Sequence, residues 1–239
     1  MAEEFNDRDL SESVFWGVNM HNAMFRDADF SGSSFFNTGW QNVSIEGVID
    51  GLVVNGVDIT EYVNANDRWY PLRNQLSPQT AEEMRSTWSA LCAEWDLVLG
   101  RLHSLDTQVA TTSINGEWSL RDTLRHLLFA MDKWFTGPIL GIRNFSSIAL
   151  PNTGSQSPEW PGINRDADPS IAEVLAARTM SIQTFTDYLA ALELSALPES
   201  TEISENGSVP TAMCFHVVFE EEFEHLRYAL RDLALIAGA

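Results

Sequence analysis

The chain has 239 residues, enough for one large domain or two small ones and for a sizeable hydrophobic core. Its 14 basic and 34 acidic residues give a formal net charge of −20, which argues against nucleic-acid phosphate as a partner. We expect a cytoplasmic protein, because no apolar run could span a bilayer, the acidic N-terminus lacks the basic part of a signal peptide, and two cysteines make no disulfide framework.

A five-residue repeat occupies the N-terminal segment. A large apolar residue recurs at every fifth position, and a small or β-branched residue lies two positions before each of them. A period of five fits neither a helix nor a strand. The large residues are Phe15, Met20, Phe25, Phe30, Phe35, Trp40 and Ile45, and the smaller ones are Ser13, Val18, Ala23, Ala28, Ser33, Thr38 and Val43.

This repeat resembles that of the pentapeptide-repeat proteins. The resemblance implies a short right-handed β-helix of square cross-section, with both repeated side chains pointing inward. About two coils would form, which is short for a solenoid that is stabilised by stacking. We interpret the segment as a cap or a dimerisation element for the domain that follows. The alternative is an acidic mimic of DNA, a role found among members of that family.

The segment after the repeat alternates like a final strand, with a turn at Asn55 and Gly56, and a polar connector with prolines follows. We therefore predict a β-helical segment at 10–60, a linker at 61–79 and a helical domain at 80–239.

Four amphipathic helices are predicted in that helical domain. Ser119 and Asp122 form a capping-box pattern at the start of the second helix, and Asp168 before Pro169 should open the third. Four helices of this length predict a bundle, so the fold class is mainly α, preceded by a β segment (α+β by segments). The helices are expected at about 80–105, 119–136, 170–194 and 211–236.

The stretch 137–168 is rich in proline and glycine and shows no periodicity. A structureless stretch of that length inside a compact domain is more often a lid or a binding loop than a spacer. Trp160 would be its anchor. An ordinary surface excursion is the alternative interpretation.

The fourth helix carries a candidate site at His225 and Glu221, which lie one turn apart on the same face. That face is otherwise apolar, so both side chains should point inward. A buried carboxylate and imidazole need compensation. They can pair with each other, with Arg227 or Arg231, or bind a divalent metal.

A third metal ligand is available from His126, which lies in the strongly apolar second helix. Two histidines and one carboxylate leave a coordination position open, as in catalytic zinc sites. A core histidine with no ligand role is the alternative. The other histidines are placed elsewhere: His216 on the opposite side of the fourth helix, His21 exposed, and His103 at the end of the first helix.

Two segments, GEWSLRDTLRHLLFAMDKWF and FEEEFEHLRYALRDL, resemble the second-helix and fourth-helix motifs of the DinB/YfiT-like metalloenzyme family. Within it, the chain is most similar to the branch related to mycothiol-dependent maleylpyruvate isomerase. The resemblance implies that His126, Glu221 and His225 bind a divalent metal such as zinc. Other members have a third histidine where this chain has Glu221.

The resemblance further implies a thiol transferase or thiol-dependent isomerase that uses a low-molecular-weight thiol such as mycothiol. An electrophile would enter beneath the 137–168 loop, and Arg227, Arg231 and Trp160 are candidate substrate contacts. A metal-dependent hydrolase and a non-enzymatic scaffold are the alternatives. We expect no nucleic-acid or membrane partner, and by analogy with similar bundles a homodimer.

Overall fold

A computed structural model of the chain describes residues 4–5, 8–25, 28–102, 107–114, 116–152 and 160–237. The chain divides into two compact units, residues 1–47 and 48–239. His103 lies outside the described residues. Within the ranges given, no helix combines the length and the apolar character needed to cross a bilayer.

The backbone of the N-terminal unit repeats with the same period as its sequence. Positive φ angles between 53° and 73° recur at five-residue intervals in the described part. Asn and Gly hold most of these positions, because they adopt the left-handed region most easily. The residues are Glu12, Gly17, Asn22, Gly32, Asn37 and Asn42.

The large side chains of the repeat contact one another in sequence, but each is at least 45% exposed rather than enclosed as predicted. Ring centroids are 5.2 Å apart for Phe25 and Phe30, 6.1 Å for Phe30 and Phe35, and 5.3 Å for Phe35 and Trp40. The predicted β-helix is not shown, because residues 8–25 and 28–47 contain no strand. Solenoid strands form through hydrogen bonds between stacked coils, and two coils provide few of them.

The second unit opens with an antiparallel hairpin of β1 (Val53–Val54) and β2 (Val57–Asp58). Asn55 and Gly56 both have positive φ, as a type I′ turn requires, so the predicted turn is confirmed.

The segment predicted as a linker contains two short helices, α1 (Thr60–Asn66) and α2 (Tyr70–Arg73). Leu72 of α2 is buried in the main core. The Trp69 ring makes an edge contact with Phe223, with centroids 5.9 Å apart. This segment is therefore packed onto the helical domain.

Four long helices form a bundle: α3 (Ala81–Leu102), α4 (Leu120–Met131), α5 (Ile171–Ala190) and α6 (Thr211–Ala237). Each helix packs against two neighbours, in the cyclic order α3, α6, α4, α5. A second hairpin, β3 (Ser200–Ile203) paired with β4 (Gly207–Pro210), lies directly before α6. There are 3₁₀ turns at Thr107–Thr111 and Leu194–Ala196 and a π-helical turn at Asp132–Thr136.

The helix starts follow from capping side chains. Ser119 Oγ accepts a hydrogen bond from the backbone N–H of Asp122 at 3.2 Å, as predicted for α4. For α5 the cap is Ser170 rather than Asp168, because Ser170 and Glu173 form a reciprocal capping box. That box satisfies two backbone N–H groups at once.

The bundle core is divided by a polar layer. Along α6, Phe219 and Leu226 belong to two different apolar clusters, and Glu222 lies between them. Arg178 occupies the corresponding place on α5, and the two side chains are paired. The layer lies at the level of the α6 turn that carries the candidate site.

Candidate metal centre

His126, Glu221 and His225 come together between α4 and α6. Each residue offers one ligand atom, and these atoms all lie within 4.8 Å of one another. His126 Nε2 is 3.2 Å from Glu221 Oε2, and the two imidazole rings stack with centroids 4.8 Å apart. The structure thus brings together the three residues predicted from the sequence.

The second nitrogen of each imidazole faces a backbone carbonyl. His126 Nδ1 lies 3.1 Å from the Leu150 oxygen, and His225 Nδ1 lies 3.0 Å from the Glu221 oxygen. A carbonyl oxygen can only accept, so we assign the proton to Nδ1 in both rings. A neutral ring in this tautomer has its lone pair on Nε2, and metal-binding histidines commonly have such a backbone partner.

This arrangement fits a divalent cation. The Nε2 atom of His126 lies 3.2 Å from a carboxylate oxygen of Glu221, and two acceptors at that distance repel unless a proton or a metal ion is shared between them. Two imidazole nitrogens and one carboxylate are ligands that suit zinc and similar divalent ions.

The protonation states also suit a cation. Burial, together with the neighbouring His126 ring, lowers the pKa of His225 to about 4, so the His225 ring is neutral at pH 7. Burial opposes the ionisation of Glu221. The interactions of Glu221 with His126, His225 and Lys133 outweigh burial and hold the pKa of Glu221 below its usual value. Metal ligation needs this combination of neutral imidazole and ionised carboxylate.

Aromatic rings surround the two histidines. The Trp118 ring lies 4.7 Å from His126, Phe129 lies 5.9 Å from His126, and Tyr228 lies 5.9 Å from His225. The Glu221 side chain is 26% exposed, compared with 4% for His126. The centre is therefore open to solvent on the side of Glu221.

The described part of the 137–168 loop belongs to the framework of the centre. Arg125 Nε donates to the Ile148 oxygen at 2.8 Å, and the Leu150 N–H donates to the Arg125 oxygen at 3.1 Å. These bonds fix the Leu150 carbonyl against α4, where it accepts from His126. Residues 153–159 lie outside the described residues.

The predicted substrate contacts are occupied by neighbours. The Trp160 ring is buried and packs against Phe129 with centroids 4.9 Å apart. Arg227 pairs with Glu224 at 3.0 Å. Arg231 pairs with Glu117 and, at 2.8 Å, with Asp232.

Sequence reasoning missed the ion pair next to the centre. Arg178 Nη2 donates to Glu222 Oε2 at 2.8 Å, and the two side chains are 3% and 2% exposed. The Trp95 Nε1–H donates to the Glu222 carbonyl at 3.2 Å. A signal was present, because Val174 and Phe185 place Arg178 on the apolar face of its helix.

Comparison with protein-family models finds the DinB superfamily over residues 90–229, more than half of the chain. Pentapeptide repeats, in eight copies, match residues 5–38. Both resemblances seen in the sequence are confirmed at this level, and neither match singles out the mycothiol-dependent branch. No curated protein and no solved structure matches the chain.

Proposed function

We propose that this chain, which belongs to the DinB superfamily, is a metal-dependent enzyme that acts with a low-molecular-weight thiol. The observation that carries the proposal is the convergence of His126, Glu221 and His225 within 4.8 Å. The reaction would be thiol transfer to an electrophile, or an isomerisation that depends on the thiol. Mycothiol is the thiol that the sequence resemblance favours, and zinc is the metal.

The three side chains would hold the ion through His126 Nε2, a Glu221 carboxylate oxygen and His225 Nε2. A bound divalent ion supplies Lewis acidity, which lowers the pKa of a thiol so that the nucleophilic thiolate is present near neutral pH. Three protein ligands leave room for one ligand from solution.

The rest of the chain orients and shields these groups. The Leu150 and Glu221 carbonyls accept the Nδ1–H groups and so fix the plane of each imidazole. Trp118, Phe129 and Tyr228 exclude water from the histidine side of the centre. The exposed edge at Glu221 is the side from which a thiol would enter.

Metal content of the purified full-length protein tests the site. After extensive dialysis, we expect about one divalent ion per chain. Inductively coupled plasma mass spectrometry measures this metal content. His126→Ala should remove it. His216→Ala is the matched control, because His216 Nε2 contacts the Pro78 carbonyl and takes no part in the centre. Full occupancy in His126→Ala would overturn the proposed ligand set.

Turnover assays test the chemistry. The metal-loaded protein is incubated with a chromogenic electrophile and with mycothiol, bacillithiol or glutathione in separate reactions. We expect product only when both metal and thiol are present. Turnover without any thiol would instead support metal-assisted hydrolysis and contradict thiol transfer.

A further inference from the structure

Lys133 is the only lysine of the chain, and it follows α4 in the π-helical turn. Its side chain is only 12% exposed. The ammonium lies 5.6 Å from the centroid of Trp160, whose ring packs on Phe129, and Phe129 in turn packs on His126. Lys133 therefore lies along the aromatic wall that begins at the candidate centre.

Lys133 lies about two helical turns after His126 along the chain. Side chains on a helix lean toward its N-terminus, and Lys133 lies seven residues after His126. The π-helical turn changes the angular placement of the residues that follow α4, a feature often found at functional sites. The charge of Lys133 also acts on the Glu221 carboxylate from outside the ligand set.

The other cations near the centre are held by carboxylates. Arg178 pairs with Glu222 at 2.8 Å, and Arg227 pairs with Glu224 at 3.0 Å. Arg231 pairs with both Glu117 and Asp232. Each of these guanidinium groups thus has at least one carboxylate partner within the chain.

The ion pair of Lys133 is longer than these. Glu205 Oε2 lies 3.5 Å from Lys133 Nζ, and the Glu205 side chain is 31% exposed in the turn between β3 and β4. An ammonium has three N–H donors. Lys133 thus has the capacity to bind a further anion beside the aromatic wall of the centre.

We infer that Lys133 binds a carboxylate of the molecule that occupies the centre, so the substrate or its thiol partner is anionic. This inference rests on the proposed function. It assigns charge recognition to Lys133 rather than to Arg227 or Arg231, and it makes Glu205 the internal counter-ion that the carboxylate displaces.

Two thiols that differ in charge test the inference on Co²⁺-loaded full-length protein. 3-Mercaptopropionate carries a carboxylate and 2-mercaptoethanol a neutral hydroxyl, and the visible absorption of Co²⁺ reports thiol binding. The unsubstituted protein should bind 3-mercaptopropionate about tenfold more tightly, the factor that one charge-assisted hydrogen bond supplies. Lys133→Met should remove this preference and leave 2-mercaptoethanol binding unchanged.

Glu205→Gln should increase the preference, because the internal competitor is neutralised while Lys133 remains. This variant also keeps the test decisive if Lys133→Met does not fold. Arg68→Met is the matched control, since it removes one positive charge from an exposed ion pair with Glu94.

The outcomes separate the two proposals. Absence of Co²⁺ uptake by the unsubstituted protein would overturn the proposed function, and this inference with it. Uptake with equal affinity for both thiols, or a preference that persists in Lys133→Met, would overturn this inference alone.

Discussion

The candidate ligands are oriented mainly by backbone groups. His126 and His225 each donate an Nδ1–H to a carbonyl, one from a loop and one from the preceding turn of α6. A carbonyl cannot donate in return, so it specifies the tautomer without adding a titratable group. The centre therefore gains its geometry from the fold rather than from a further charged side chain.

The buried carboxyl group of Asp132 should make the stability of the protein depend on pH. Burial raises the pKa of its carboxyl above 3.8, although the Ser146 N–H donates to it at 2.7 Å. The folded state thus binds the proton more tightly than the unfolded state, and the free energy of unfolding should fall as pH rises from about 3.8 through the raised pKa.

Urea denaturation at a series of pH values checks this expectation. Asp132→Asn should flatten the pH dependence in that window, because the amide oxygen can still accept from Ser146 but does not titrate. Identical pH dependence in the two proteins would contradict it. Asp122→Asn is a useful control, since Asp122 is a partly exposed carboxylate at the other end of α4.

Three helices of the bundle contact the same turn of α6. Trp95 of α3 donates to the Glu222 carbonyl, Arg178 of α5 donates to its carboxylate, and His126 of α4 contacts Glu221. Each of these contacts fixes the rotation of α6 about its own axis. The turn that carries both α6 ligands is thereby set in register with α4.

Arg178→Met should destabilise the bundle by about 3–5 kcal/mol, because it leaves the Glu222 carboxylate buried without its ion-pair partner. The double variant Arg178→Met, Glu222→Met should recover most of this loss, since paired apolar replacements are often neutral. Urea denaturation of the single and double variants measures both. A double variant as unstable as the single would contradict the assignment.

Gly162 lies at a close approach between two backbone segments of the 137–168 loop. Its φ is +95°, and an added Cβ would lie 2.6 Å from the Phe145 carbonyl oxygen. Gly162→Ala should therefore loosen the contact between two segments of the 137–168 loop and lower the thermal midpoint. Gly141→Ala is the matched control, because φ is +73° there but no heavy atom lies within 4 Å.

The control variant should cost about 1–2 kcal/mol from its backbone conformation alone. A larger loss in Gly162→Ala, measured by thermal unfolding, would be the contribution of the close approach. Equal losses in the two variants would show that the loop accommodates the methyl group.

The elements could be predicted to the extent that local periodicity determines them. The stripe on α3 and the cap at Ser119 are encoded within a few turns of helix, and both are present in the structure. Long-range partners are not encoded in this way. The Arg178–Glu222 pair joins residues 44 apart, and the Leu150 acceptor is a backbone atom that any residue would provide.

Trp118 marks another limit of sequence reasoning. It lies directly before the cap of α4, a position where an apolar residue commonly packs back on the helix. Its place in the sequence gives no signal of the site, although the ring lies against both candidate ligands, 4.7 Å from His126 and 6.2 Å from His225.

At the scale of the whole molecule, the net charge of −20 opposes compaction. Added salt screens this repulsion, since the Debye length falls from about 30 Å at 0.01 M to about 10 Å at 0.1 M. We expect the thermal midpoint of the metal-free protein to rise when NaCl increases across that range. A midpoint that falls or stays constant would show that local ion pairs dominate over the net charge.

The Leu150 carbonyl has a consequence for the loop that contains it. Because the same hydrogen bond orients His126 and attaches residues 148–150 to α4, an ion that requires that ring orientation also favours the attached loop. Thermodynamic reciprocity makes the two effects equal in free energy. Stripping the ion with a chelator would then make this stretch the first to be cut by a protease, and resupplying the ion would restore its protection.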